Sequence, residues 1–215
     1  MAIARDTSTE GFTTGGTTAN ITHVCTGTNL LLLVYAVSQS TTVTSCKYNG
    51  VSMTQLVSQL SGTDTGYIFG LVAPATGSNN IEVIRSGTTN SMIVVASSYT
   101  GVAQTGLPDG TDADSQSTTA LTLSINTTAA TCWAYYGAYA PSTTASAGTN
   151  ATAVHSFSTN STYDNTNFGD IPAGAFSMTV NNSPEGTLGG VMVTFAAAAA
   201  AGGGGAAPRR RFMRH

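Results

Sequence analysis

Nowhere in this chain does an apolar period of 3.6 residues persist. β-Branched and aromatic residues recur instead in short alternating or continuous runs, broken by Gly, Asn and Pro. That rhythm excludes helical bundles and βαβ folds and leaves an antiparallel all-β architecture. Residues 21–25 alternate, and residues 29–37 form a long apolar run suited to a strand buried on both faces. Residues 43–53 read as a hairpin, because Asn49-Gly50 supplies the two positive-φ positions of a type I′ turn. Further strands are expected at residues 67–73, 81–85, 92–99, 120–125, 131–140, 175–180 and 188–195, with a weaker one at 151–157. Residues 101–119 read as a long polar loop, and 141–170 as a Thr/Asn/Gly-rich stretch. About eight to eleven strands with no crossover helices predict a two-sheet antiparallel β-sandwich, jelly-roll-like, over residues 20–195. An N-terminal arm (1–19) precedes it, and an Ala/Gly-rich flexible tether with a basic tip (196–215) follows.

Hydrophobic residues at 41 % are enough for a core, yet only 8 % of the chain is charged. Solubility therefore rests on hydroxyls and amides, with Thr and Ser making up roughly a quarter of the residues. Lys47 is the sole lysine, and four of the seven basic residues, Arg209, Arg210, Arg211 and Arg214, crowd the last seven positions. The remaining body is mildly acidic and offers no basic face to nucleic acid. No apolar run is long enough to span a bilayer. Residues 1–10 lack the apolar core of a signal peptide. A surface-protein composition without an export signal points to a virus particle, assembled in the host cytoplasm and released by lysis. Cys25, Cys46 and Cys132 are odd in number and widely spaced, which favours buried free thiols over a disulfide framework or zinc. A single late disulfide is the alternative.

Four stretches carry a resemblance. They are the strand Leu30–Val37; Tyr48-Asn49-Gly50-Val51-Ser52-Met53-Thr54; Leu71-Val72-Ala73-Pro74-Ala75-Thr76-Gly77 with Asn79; and Ser98-Tyr99-Thr100-Gly101-Val102. In that order they resemble a β-sandwich domain that recurs in tailed-phage virion proteins and in some bacterial surface proteins. The resemblance covers about residues 20–195. It implies a virion or cell-surface component and brings no catalytic residues with it. Two departures stand out: the 141–170 stretch is unusually Thr/Asn-rich, and the Ala/Gly/Arg tail lies outside the pattern.

Chemistry is sparse. A nucleophilic triad needs a Ser or Cys, a His and an orienting acid. His23 and His155 are the body's only histidines, His23 has no acid in view on its strand, and no G-x-S-x-G elbow is present. Glu10, Glu82 and Glu185 fall in an arm, a strand and a turn, a poor arrangement for paired-carboxylate hydrolysis. No enzymatic activity and no cofactor are expected. Asp109, Asp112 and Asp114 are the metal candidate, hard ligands suited to Ca²⁺, but they miss the EF-hand spacing and read better as a solvated acidic turn. Trp133, Tyr135 and Tyr139 share one strand face and read as core, with a sugar-stacking platform as the alternative; Tyr136 points the other way. The tip Arg209, Arg210, Arg211, Phe212, Met213 and Arg214 is the candidate partner-docking element.

The expected function is a non-enzymatic structural protein of a tailed-phage particle: a capsid decoration or cement protein, or a head-fibre subunit. Its expected partners are the major capsid protein or neighbouring copies in a homo-oligomer, with no nucleic acid and no membrane. The alternative is a glycan-binding adhesin, a tail-fibre module or a subunit of a bacterial extracellular filament, with a glycan site built from residues around 101–119 and 141–170.

Overall fold

The computed structural model describes residues 2–88, 90–140, 144–158 and 162–199. Every regular element among the described residues is a β-strand. The first hundred residues hold β1 (Ala4–Thr14), β2 (Thr18–Cys25), β3 (Leu31–Gln39), β4 (Val43–Tyr48), β5 (Val51–Ser52), β6 (Thr54–Ser61), β7 (Asp64–Val72), β8 (Gly77–Arg85) and β9 (Ser91–Thr100). The rest holds β10 (Gly110–Thr127), β11 (Cys132–Ala140), β12 (Thr144–Ala147), β13 (Thr152–Ser158), β14 (Thr162–Ile171) and β15 (Gly174–Ala196).

The expected antiparallel sandwich forms, and it forms twice. In the first half one sheet has the order β1-β9-β3-β7-β6 and the other β2-β8-β4-β5. First pairs with last, second with next-to-last, which is how a jelly roll closes. In the second half β10 and β15 are each two strands run together. Residues 110–118 pair with 186–194, and after a register break residues 120–127 pair with 174–181. The ribbon doubles back there: the Ser124 amide donates to Asp112 on the same strand (2.7 Å). With β10 and β15 split, one sheet runs 110–118, 186–194, β11, β14, β13, and the other runs 120–127, 174–181, β12. This is the first half's strand order again.

Small features coincide as well. Both halves break register at one place on the edge strand, between Gln55 and Val57 in β6 and between Ala153 and His155 in β13. Positive-φ residues recur at matched positions: Asn29 with Thr131, Asn49 with Asn150, Ala73 with Asp170, and Gly77 with Gly174. The predicted hairpin turn is among them, with Asn49 at φ 49° and Gly50 at φ 77°.

Strand alternation distributes the core into three clusters. On β3, Leu32, Val34 and Ala36 face the first half's outer sheet, while Leu31, Leu33, Tyr35 and Val37 face the second half. Residues 31–38 are all buried, so this strand is covered on both faces as its apolar run predicts. Tyr135, Tyr139, Val191, Val193 and Phe195 meet them from the other side. The third cluster, including Leu121, Leu123, Tyr136, Met178 and Met192, lies inside the second sandwich. The two jelly rolls thus pack inner sheet against inner sheet, making four layers.

Counterparts meet across this interface. Tyr99 packs against Phe195, its counterpart, with ring centroids 4.8 Å apart. Tyr35 lies over its counterpart Gly137, where a Cβ would come within 2.2 Å of the ring. Val102 and Ala197, just beyond the last strand of each half, form a bridge. These are the contacts of an approximate twofold axis.

Three expectations need correction. Residues 1–19 are not an arm: β1 is an edge strand paired with β9, and β2 begins at Thr18. Residues 110–119 are strand rather than loop. In both places a hydroxyl-rich segment is held by its apolar neighbour in the sheet, so it needs little apolar alternation of its own. Residues 141–170 contain three strands where one was expected.

Candidate functional site

Asp6 and Asp109 occupy matched positions and do matched work. The Thr26 amide donates to Asp6 (2.8 Å), and the Thr128 amide donates to Asp109 (2.9 Å); in each case the threonine hydroxyl adds a second bond. Each clamp fixes the chain just before the central strand of its half. Burial pushes both carboxyls up, but these bonds outweigh it and hold both below the ordinary carboxylate range. Asp109 is therefore a structural clamp. Asp112 accepts from the Ala113 and Ser124 amides, and Asp114 from Ser115 and Gln116. The three candidate calcium ligands are dispersed along a strand, and no group of three or more metal-ligating side chains is assembled among the described residues.

His23 does have an acid nearby, contrary to the reading of its strand alone. It is fully buried, with Nε2 3.1 Å from Ser98 Oγ and Nδ1 3.0 Å from Thr9 Oγ1. Ser98 in turn donates to Asp6 (2.9 Å). With its own proton committed to Asp6, Ser98 accepts from the imidazole, so neutral His23 carries its proton on Nε2. That is the reverse of a general base removing a serine proton. Burial depresses the His23 pKa to about 4, with the Asp6 charge opposing the shift. Sequence proximity could not reveal this cluster, because strand pairing brings β1 beside β9 and the packing of one sheet on the other brings β2 over them.

His155 forms a second constellation at the seam between halves. Its Nδ1 lies 2.7 Å from Glu10 and its Nε2 lies 2.8 Å from Ser8 Oγ. The distances resemble those of a hydrolase triad, but the Ser8 hydroxyl is also within hydrogen-bond reach of the Ala96 carbonyl (3.1 Å) and the Ser97 hydroxyl (2.9 Å). None of the cavities described below is lined by these residues. The arrangement ties β13 of one half to β1 of the other.

All three cysteines are free and buried. Burial pushes the thiol of Cys46 up to about 12 and that of Cys132 up to about 11, and raises Cys25 as well, so none is poised as a thiolate. Trp133, Tyr135 and Tyr139 share a face, as expected, and that face is turned into the interface between the halves. Tyr136 points into the second sandwich. The aromatic cluster is core, not a sugar platform. The tip from Arg209 to Arg214 lies outside the described residues.

Hydroxyls and amides dominate the two outer sheets, with Val24 and Val51 exposed on that of the first half. The outer sheet of the second half displays Thr122, Ser124, Asn126, Ser177, Thr179 and Asn181, with no charge among them. Its counterpart displays Asn20, Thr22, Thr44, Ser78 and Asn80, with a single ion pair, Lys47 to Glu82 at 3.5 Å. At one end of the second half a shallow depression of about 210 Å³ is lined by Ser124, Asn126, Phe176 and Ser177. Compared with known protein families, curated proteins and solved structures, the chain matches none.

Proposed function

We propose that this chain is a non-enzymatic structural protein of a tailed-phage particle, a capsid decoration or cement protein or a head-fibre subunit acting through protein–protein contacts. The observation that carries the reading is the pair of outward sheet faces built mostly from hydroxyls and amides, with a single ion pair on one of them. Such faces make many weak, hydrogen-bonded contacts that salt does not screen, which suits attachment to neighbouring copies or to a major capsid protein. The four-layer body supports it, since doubling a jelly roll yields a stiff block with two such faces. Jelly rolls recur in viral capsid proteins, an analogy of fold and not of site. The sealed His23 cluster and the raised thiols are consistent with the absence of catalysis.

Immunogold electron microscopy with mass spectrometry of the filtered particle fraction tests the reading. Label on heads or fibres, with the protein abundant among particle peptides, is the expected result. Label on cell envelopes or free filaments, with none on particles, would overturn it.

A second reading, a glycan-binding module, draws on the depression around Phe176. An aromatic face flanked by Asn126, Ser124 and Ser177 is the chemistry that holds a sugar ring. Binding on a glycan array that Asn126→Ala and Phe176→Ala both abolish would establish it.

A further inference from the structure

The interface between the halves is filled unevenly. Trp133 lies over Gly169, where a Cβ would come within 2.5 Å of the indole, and edge-on to Tyr99 at 5.8 Å. Its indole nitrogen is buried and has no hydrogen-bond partner, so this ring is held by apolar contact alone. The twofold-related position carries Leu31 in place of Trp133, and Leu33 in place of Tyr135. There the interface holds a cavity of about 280 Å³.

Leu31, Leu33, Val193 and Phe195 form its inner wall, and Leu56, Leu107 and Pro108 surround its mouth. Among the described residues, Thr54 and Thr194 contribute the only polar side chains in the lining, and no charged residue reaches it. An engineered apolar cavity of about 150 Å³ stays dry and takes up benzene. One nearly twice that size, with an open side, accommodates two fused rings.

We propose that this cavity is a binding site for a neutral bicyclic aromatic molecule of indole size, seated as the Trp133 side chain is seated on the other side of the axis. The charge-free lining rejects ionised ligands, which would lose hydration without gaining a partner. The two threonine hydroxyls give a ring N–H or O–H one point of orientation. This inference stands on the interface geometry and is independent of the virion reading.

Calorimetric titration of the full chain with indole tests it. The expected result is one saturable site with a Kd of about 0.1–1 mM, ordinary for a ligand of this size. Leu31→Trp copies the other half's side chain into the cavity and is expected to weaken binding at least tenfold. Leu107→Asp, partly buried against the interface cluster but outside the strands, is expected to do the same without altering a strand residue. It serves as the test if Leu31→Trp fails to fold by circular dichroism. Absence of saturable binding, or binding unchanged in the folded variants, overturns the proposal. Binding that emerges only after residues 200–215 are deleted also overturns it, because the occupant would then be the chain's own Phe212.

Discussion

The two halves reach one topology with different side chains, and the differences separate what the fold requires from what it tolerates. Positive-φ corners, the Asp–Thr clamps and the edge-strand register break are kept in both. Core identities are not kept: His23 stands against Ile125, Leu31 against Trp133, Tyr35 against Gly137. The closing loops show the same freedom. Buried Arg85 donates through Nε to the Gly16 carbonyl and through Nη2 to the Asn90 carbonyl, both at 2.8 Å. Its counterpart, buried Asn182, donates to the Thr118 carbonyl (3.1 Å) and the Gly186 carbonyl (2.9 Å). A long side chain spans the first half's wider loops and a short one the second half's tight break. Backbone geometry is the shared specification, and side chains answer to local space.

The sharpest way to break the comparison is at the axis, where Tyr35 fills the space that Gly137 leaves. Tyr35→Ala should cost about 3–5 kcal/mol, the range for emptying a buried aromatic site. Gly137→Ala alone should also destabilise, because its Cβ collides with the ring. In a Tyr35→Ala background it should become close to neutral. Urea unfolding of the four proteins checks this. Additive losses would show that the halves do not lock through this pair.

Next in size is an acid response confined to one half. His23 is neutral when folded, with a pKa of about 4, against 6.5 when unfolded. Below pH 6.5 the unfolded chain binds a proton that the folded chain refuses, so stability falls as pH drops from 6.5 to 4. The full loss from this residue is about 3 kcal/mol. Asp6 and Asp109, with lowered carboxyl pKa values, give up their contributions only at still lower pH, below the unfolded carboxylate value. The first half, holding His23, should therefore lose hydrogen-exchange protection near pH 4.5 before the second, which has Ile125 there. His23→Ile should remove the difference between halves. Equal loss of protection in both halves of the wild type would refute the assignment.

Fold class was legible because strands that pack on a core must alternate, and a strand buried on both faces, such as residues 31–38, must be continuously apolar. The hairpin was legible because a type I′ turn demands two residues tolerant of positive φ. The doubling was not legible. A jelly roll asks only for apolar residues at inward positions, so Ile21 and Leu123, or Ile81 and Met178, serve alike without leaving a repeat in the sequence. β1 and residues 110–118 carry no alternation signal because they are hydroxyl-rich edge strands held by an apolar neighbour in the sheet. The His23 cluster escaped because its acid and serine lie on other strands. The cavity could not be foreseen either, since it arises from the size difference between Leu31 and Trp133 across an axis that only the fold creates.

Of intermediate size is the loop-closing pair. Arg85→Ala should cost about 2–3 kcal/mol, since it removes a buried cation's two hydrogen bonds to the closing loops, and Asn182→Ala about 1–2 kcal/mol. Thermal unfolding followed by circular dichroism ranks them. The reverse order would mean that the tight break of the second half, not the wider loops of the first, is the closure on which stability depends.

The smallest effect should come from the seam. His155 and Glu10 face each other on one side of the axis, with side-chain exposures of 21 % and 44 %. Their counterparts are Val57 and Ala113, both packed against the apolar interface. Exposed pairs of this kind contribute about 0–1 kcal/mol. Glu10→Ala with His155→Val, which copies the other seam, should therefore leave stability within about 1 kcal/mol of wild type. The same double variant discriminates a stitch from a catalytic relay. A serine-reactive fluorophosphonate should fail to modify Ser8 in the wild type, as it does in the variant. Modification of the wild type alone would make Ser8 a nucleophile and give this seam, unlike its apolar counterpart, a chemistry of its own.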